Sequence, residues 1–143
     1  MSAYRKVLVP LDLSDDSDQV AVTARDLAAH SKAALVMLHV VEFVPLGPMG
    51  DTLMPSDQIE GGLAKVAQGK LVALIERLSL GHSTYRVEVG NTKADILRVA
   101  EEEKADLIVM GSRERHGMAI LVNFTEDTVL HGARCDVLAV RLK

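Results

Sequence analysis

Apolar runs alternate with amphipathic stretches along this chain, and the alternation predicts strands and helices in strict succession. Val7-Leu-Val-Pro-Leu11 reads as a short strand. Ser14-Asp-Asp-Ser17 supplies residues of helix-capping type, and Val20, Ala24, Leu27 and Ala28 follow at helical spacing, so roughly 15–31 is predicted helical. Ala34 to Val41 is nearly all apolar, the pattern of a strand covered on both faces. Phe43 to Pro55, rich in Pro, Gly and Met, breaks the pattern and reads as an ordered loop. A long helix follows, with Leu63, Val66, Lys70, Leu71, Leu74 and Leu78 at three-four spacing despite Gly61, Gly62 and Gly69.

Thr84 to Val89 alternates apolar and polar, as a strand at or near a sheet edge does. Gly90-Asn91 turns the chain, and Thr92 is the expected cap of a helix carrying Ile96, Leu97 and Ala100. A fourth strand is predicted at 106–110, with a loop from Gly111 onward, a last helix at roughly 124–133 and a fifth strand from Asp136 to Leu142. Such alternation with short links implies an α/β fold: a three-layer, doubly wound parallel sheet with right-handed crossovers and helices on both faces. The 143 residues show no repeat or linker and suit a single domain, 1–143.

Composition narrows the functional classes. A formal charge of −4 argues against a nucleic-acid partner, whose footprint is a basic face. Aromatic residues are 3% of the chain and tryptophan is absent, so the core must be aliphatic. The single cysteine, Cys135, cannot form an internal disulfide, which fits a reducing compartment. Neither a signal-peptide core nor a run of membrane-spanning length stands out. The expectation is a soluble cytoplasmic protein with no membrane insertion.

Candidate chemistry gathers where strands end. In a doubly wound sheet ligands bind outside the carboxyl ends of the strands, where the strand order reverses. That places Pro10, Leu11 and Asp12 after the first strand, Val40 at the end of the second, and Gly111 onward after the fourth. Asp12 fits either a ligand's ribose hydroxyl or metal, or an acid stabilising the N–H groups of the first helix. Gly111-Ser-Arg-Glu-Arg-His-Gly117, followed by Asn123-Phe-Thr-Glu126, has the form of a loop whose main chain cradles phosphate. Two acids oppose that use: Glu114 inside the loop and Glu126 in the first turn of the helix both repel a triphosphate. Asn123 with Glu126 three positions on also makes a capping box, which competes for the same donors. Arg113, Arg115 and His116 keep the loop basic, as either a small-anion site or solvated surface.

Other residues carry less. His39, inside an apolar strand, reads as a hydrogen-bonded core histidine, and His30, His82 and His131 have no ligand spacing with Cys135. Cys135 reads as a small core residue. No nucleophile elbow and no Walker lysine motif occurs. The apolar loop 43–55 suits packing over the site, against a partner subunit or on its own core.

Lys-Val-Leu-Val-Pro-Leu-Asp-Leu-Ser (6–14), Leu-Val-Met-Leu-His-Val-Val (35–41), Ala-Asp-Leu-Ile-Val-Met-Gly-Ser-Arg (105–113) and the ending 129–140 together resemble the universal stress proteins, over essentially the whole chain. The resemblance implies a five-stranded parallel sheet in the order 3-2-1-4-5, of the adenine-nucleotide alpha-hydrolase-like kind. It further implies a homodimer, commonly built by antiparallel pairing of the last strands, here 136–142. Members of the family divide into adenine-nucleotide binders and a class that does not bind ATP. Binders are similar to the pattern Gly, two residues, Gly, eight or nine residues, Gly, then Ser or Thr. Those positions are Gly111, Glu114, Asn123 and Phe124 here, so only the first is kept, and Thr125 substitutes for the missing hydroxyl only if the loop shifts.

The resulting candidate binding set is Pro10, Leu11, Asp12, Val40, Gly111, Arg113, His116, Gly117, Asn123 and Thr125, with no catalytic or metal-ligating residue assigned. No cofactor is firmly implied, AMP or ATP being the group such a set would take. The favoured class is a non-enzymatic stress-response dimer with weak or no ATP binding. An adenine-nucleotide sensor is the alternative, and a metal-assisted hydrolase, lacking any general base besides Asp12, is third.

Overall fold

The computed structural model describes residues 4–42, 56–113 and 125–142. The described elements are β1 (Lys6–Pro10), α1 (Ser17–Ser31), β2 (Ala34–Val41), α2 (Ser56–Arg77), β3 (Thr84–Val89), α3 (Thr92–Glu102), β4 (Leu107–Arg113), α4 (Thr125–Gly132) and β5 (Asp136–Leu142). The strands form one sheet in the order β3-β2-β1-β4-β5, and every neighbouring pair is parallel. β1 and β4 sit adjacent at its centre, and the polar-alternating β3 is an edge, both as expected from the pattern.

Strand alternation divides the core into two layers. Val7, Val9, Leu35, Met37, Leu107 and Val109 face α1 and α2, meeting Val20, Ala21 and Ala24 of the one and Leu71, Leu74 and Ile75 of the other. Leu8, Val36, Leu38, Val40, Ile108 and Met110 face the opposite way, onto Ile96, Val99 and Ala100 of α3 and Val129 of α4. Central strands buried on both faces explain why β2 and β4 are so nearly all apolar. Asp106 ties the start of β4 to β1, its two carboxylate oxygens accepting from the main-chain N–H groups of Arg5 and Lys6 at 2.8 and 3.0 Å.

Several local expectations need correction. Asn91, not Thr92, caps α3: its backbone is extended and its side-chain oxygen accepts from Ala94 N–H at 2.9 Å, while Thr92 is already helical. α1 begins at Ser17 rather than at 15. On α2 the buried stripe is Ala67, Leu71, Leu74 and Ile75, whereas Leu63 and Val66 are 43% and 58% exposed and Lys70 is exposed. A three-four spacing is met by two overlapping stripes of this helix, and the sheet covers the one whose C-terminal turns lie over β2 and β3. β4 runs through Arg113 instead of stopping at 110, because β5 offers partners to three more residues: Gly111↔Val140, Ser112↔Arg141 and Arg113↔Leu142. Gly111 and Arg113, read as loop, are therefore strand.

Candidate functional site

The site is built from an interruption of the sheet. In a parallel sheet the layer that a side chain faces fixes which neighbouring strand its own N–H and C=O address. Leu11 continues the alternation of Val7 and Val9, and its N–H donates to Leu38 C=O of β2 at 2.8 Å. Pro10, one residue earlier, therefore addresses β4, and it has no N–H to give. The β1–β4 register accordingly stops at Val7↔Leu107 and Leu8↔Ile108, while β1–β2 pairing continues to Pro10↔Leu38 and β4–β5 pairing to Arg113↔Leu142. A proline in a central strand is tolerated here because it stands where β1 and β4 part. The parting is the topological switch point of the fold.

Beyond Pro10 the chain turns sharply. Leu13 has φ 62, a left-handed conformation costly for a side chain of this kind. Asp12 compensates: its Oδ1 accepts from Ser14 N–H at 2.9 Å and from the hydroxyl of buried Ser17 at 3.2 Å. Of the two roles open to Asp12, the turn and helix start are thus occupied.

Gly111 has a packing reason of its own. A Cβ there would fall 2.7 Å from Leu142 Cδ1 and 3.2 Å from Val20 Cγ2, so the glycine lets α1 and the end of β5 close over β4. Its survival from the phosphate-loop pattern says nothing by itself about phosphate. Gly111→Ala is expected to destabilise the fold by about 1–2 kcal/mol, since the flexible Leu142 end must yield, and denaturant titration would measure it.

The second strand ends beside the same cleft. Val40, facing α3 and α4, addresses β1 with its N–H and C=O, at a level where β1 has already turned away as Asp12 and Leu13. Glu42, just after β2, accepts from Thr92 N–H at 3.0 Å and so joins the cleft's rim to the start of α3. Hydrogen bonds from Thr92 hold the Glu42 carboxyl below its ordinary value of 4.5, against the opposing effect of burial. A depressed carboxylate contributes stability that is present above its unfolded pKa and is lost as pH falls through the folded one. Glu42→Gln should therefore lower stability at neutral pH and flatten its acid dependence below the ordinary value, as denaturant melts at neutral pH and about pH 3 would report.

The structure thus gathers Pro10, Leu11, Asp12, Val40, Gly111 and Arg113 at the carboxyl ends of the strands, and Thr125 opens α4 on that same side of the sheet. His116, Gly117 and Asn123, the Asn123–Glu126 capping box and the apolar loop 43–55 lie outside the described residues. Ser17, read from sequence only as a capping residue, and Glu42, not singled out from sequence, belong to this end of the sheet. His39 also belongs: its Nδ1 lies 2.7 Å from Leu11 C=O. A histidine in an otherwise apolar strand, one residue past the position level with Pro10, is the signal that could have found it. Elsewhere, burial together with Asp136 and Asp106 pushes the Cys135 thiol up, away from the reactive thiolate. Among the described residues no group of three or more His, Cys, Asp or Glu is placed to hold a metal, and no helix is long and apolar enough to cross a membrane.

The five-stranded 3-2-1-4-5 parallel sheet with helices on both faces is a doubly wound α/β fold, and it matches solved universal stress proteins of the nucleotide alpha-hydrolase-like fold. Residues 3–141 match the model of the universal stress protein family, and the chain belongs to that family. It is 36% identical over 144 residues to universal stress protein A homolog 2 of Coxiella burnetii, covering 100% of this chain and 99% of that one. Homolog 1 from the same organism is 31% identical over 141 residues, covering 98% of each. Among solved structures, a universal stress protein in complex with cAMP is similar with a TM-score of 0.73 and 25% identity, covering 97% and 98% of the two chains. A universal stress protein from Lactobacillus plantarum is similar with a TM-score of 0.71 and 26% identity, covering 99% and 100%.

Proposed function

We propose that this protein is a single-domain, non-enzymatic stress-response regulator of the cytoplasm, acting as a homodimer and holding ATP weakly or not at all. The observation that carries the reading is the sequence from the end of β4 into the first turn of α4: Glu114, Phe124 and Glu126 stand there in place of the close main chain, the hydroxyl and the absence of negative charge that a triphosphate asks for. Asp12 supports it, its Oδ1 accepting within its own turn and from Ser17. The free Cys135 agrees with a reducing compartment.

A second reading is favoured by one specific observation. Val40 sends a donor and an acceptor side by side into the space β1 has vacated, the complement of the adenine edge formed by a ring nitrogen and its amino group. Together with Arg113 and His116 this suits AMP or another nucleotide with one phosphate, which reaches less far toward Glu114. The cAMP complex of a relative at 25% identity supports that preference. Chromatography of ligand released from the purified protein, followed by calorimetry with AMP and ATP, tests both readings. No retained ATP and tighter binding of AMP than ATP are expected, and the reverse order would overturn the proposal.

A further inference from the structure

We infer that His39 is a positioning residue that keeps the main-chain N–H of Val40 available to a ligand at the strand-end cleft. Its use by a nucleotide rests on the second reading above, but the device itself does not. Leu11 is the last residue of the first strand's run to touch β2, and its N–H donates to Leu38 C=O at 2.8 Å. In a regular parallel ladder the partner bond would return from Val40 N–H to Leu11 C=O, because a residue receives from the position two beyond the one to which it gives. Here that carbonyl is approached instead by His39 Nδ1 at 2.7 Å. A carbonyl oxygen only accepts, so Nδ1 carries the proton and the imidazole is the donor. Among the main-chain hydrogen bonds of the described residues, Leu11 C=O has none from Val40.

The histidine side chain therefore does the work of one ladder rung. It ends the β1–β2 pairing with the carbonyl satisfied and, among the described residues, the opposite N–H not bonded to β1. Pro10 does the matching thing on the other side of β1, where it gives no N–H to β4. The two together open the sheet on both sides of β1 at one level: among the described residues, the proline offers β4 no donor at its level, and the histidine takes the place of the Val40 amide toward β1. A pure core role for His39 would ask only that some partner satisfy it. A positioning role fixes which amide is left over.

His39→Leu removes the donor and keeps a side chain of similar bulk, and His39→Asn restores an N–H near the place of Nδ1. Amide hydrogen exchange of Val40, followed by NMR in the unaltered protein and in both variants, reads the device directly and without ligand. In the unaltered protein Val40 N–H should exchange at least about tenfold faster than that of Leu38, which lies in the same strand with a regular partner. In His39→Leu, Leu11 C=O should recapture the amide, and Val40 should become protected by about tenfold, with His39→Asn close to the unaltered protein. Titration with AMP should shift the Val40 amide in the unaltered protein, and affinity should fall about tenfold in His39→Leu and recover in His39→Asn. Val40 exchange that is already as slow as that of Leu38, or that is the same in all three proteins, would overturn the inference. Absence of any AMP binding to the unaltered protein would instead sink the nucleotide reading, with the exchange rates still deciding the part played by His39. Should His39→Leu not fold, the comparison of Val40 with Leu38 in the unaltered protein and the His39→Asn variant decides alone.

Discussion

Replacing Glu114, Asn123 and Phe124 together by Gly, Gly and Ser is expected to raise affinity for ATP by about a hundredfold or more. The segment holding these residues leaves the sheet at Arg113 and enters α4 at Thr125, so it is anchored at the carboxyl ends of the strands. A unit charge ~5 Å from a phosphate charge, at an effective dielectric of ~20, costs about 3 kcal/mol before salt screening and side-chain rearrangement. Removing Glu114 alone relieves one such pair. Gly at 114 and 123 also lets main-chain N–H groups approach the phosphates without a Cβ in the way, and Ser at 124 supplies a hydroxyl for a phosphate or its magnesium ion. Calorimetry with ATP and Mg²⁺ at fixed salt compares the two proteins. Micromolar binding by the unaltered chain, or no gain in the triple variant, would show that the acids do not set the affinity. AMP should gain much less, because its one phosphate does not extend as far.

Pattern alone was a good guide where burial is symmetrical. Strands covered on both faces must be apolar throughout, so β2 and the first part of β4 announced themselves, and β3 was marked as peripheral by its alternation. The pattern misled where a partner rather than a propensity decides. Gly111-Ser-Arg113 has no strand character, yet β5 lies alongside and extends the ladder through it. Leu63 and Val66 carry the same spacing as Leu71 and Leu74, and only the position of the sheet separates exposed from buried. In the site, the pattern pointed to Pro10, Asp12, Val40 and Gly111, which the structure places together at the carboxyl ends of the strands, and of the two readings of Asp12 the helix-entry one is observed. Gly111 is kept for Val20 and Leu142, a contact between elements far apart in the chain. Asp12 is held by a turn that requires Leu13 at positive φ, which leucine gives no cause to expect. His39 was rightly read as hydrogen-bonded, but the identity of its acceptor depends on the register of β1 against β2, which no local signal encodes.

Replacing Ala139 by Pro should separate the proposed dimer while leaving the protomer folded. β5 is an edge strand whose Leu138 is 37% exposed and whose Ala139 is exposed, an apolar ribbon of the kind that sheets otherwise cover. The direction of its main chain follows from the layers. Val140 and Leu142 pack on the side of α1, as Val7 and Val9 do, and Val7 and Val9 address the neighbour on the β2 side. By the same handedness Val140 and Leu142 address β4, whereas Val137, packed on the side of α4, and Ala139 address the open edge. Proline at 139 therefore removes an outward donor and leaves the β4–β5 ladder its own. Antiparallel pairing of two β5 strands about a two-fold axis would engage that donor once from each copy, so one substitution deletes two contacts. An interface carbonyl left without its donor costs about 1–3 kcal/mol, and two of them weaken association by roughly thirtyfold or more. Sedimentation at micromolar concentration should show a dimer for the unaltered chain and a monomer for Ala139→Pro, with matching circular dichroism. The rival is a monomer protected by the charges of Asp136, Arg141 and Lys143, which stand only toward the ends of the strand and leave its middle open. A monomeric unaltered protein would favour that rival, and a dimer that survives the proline would place the interface on another surface.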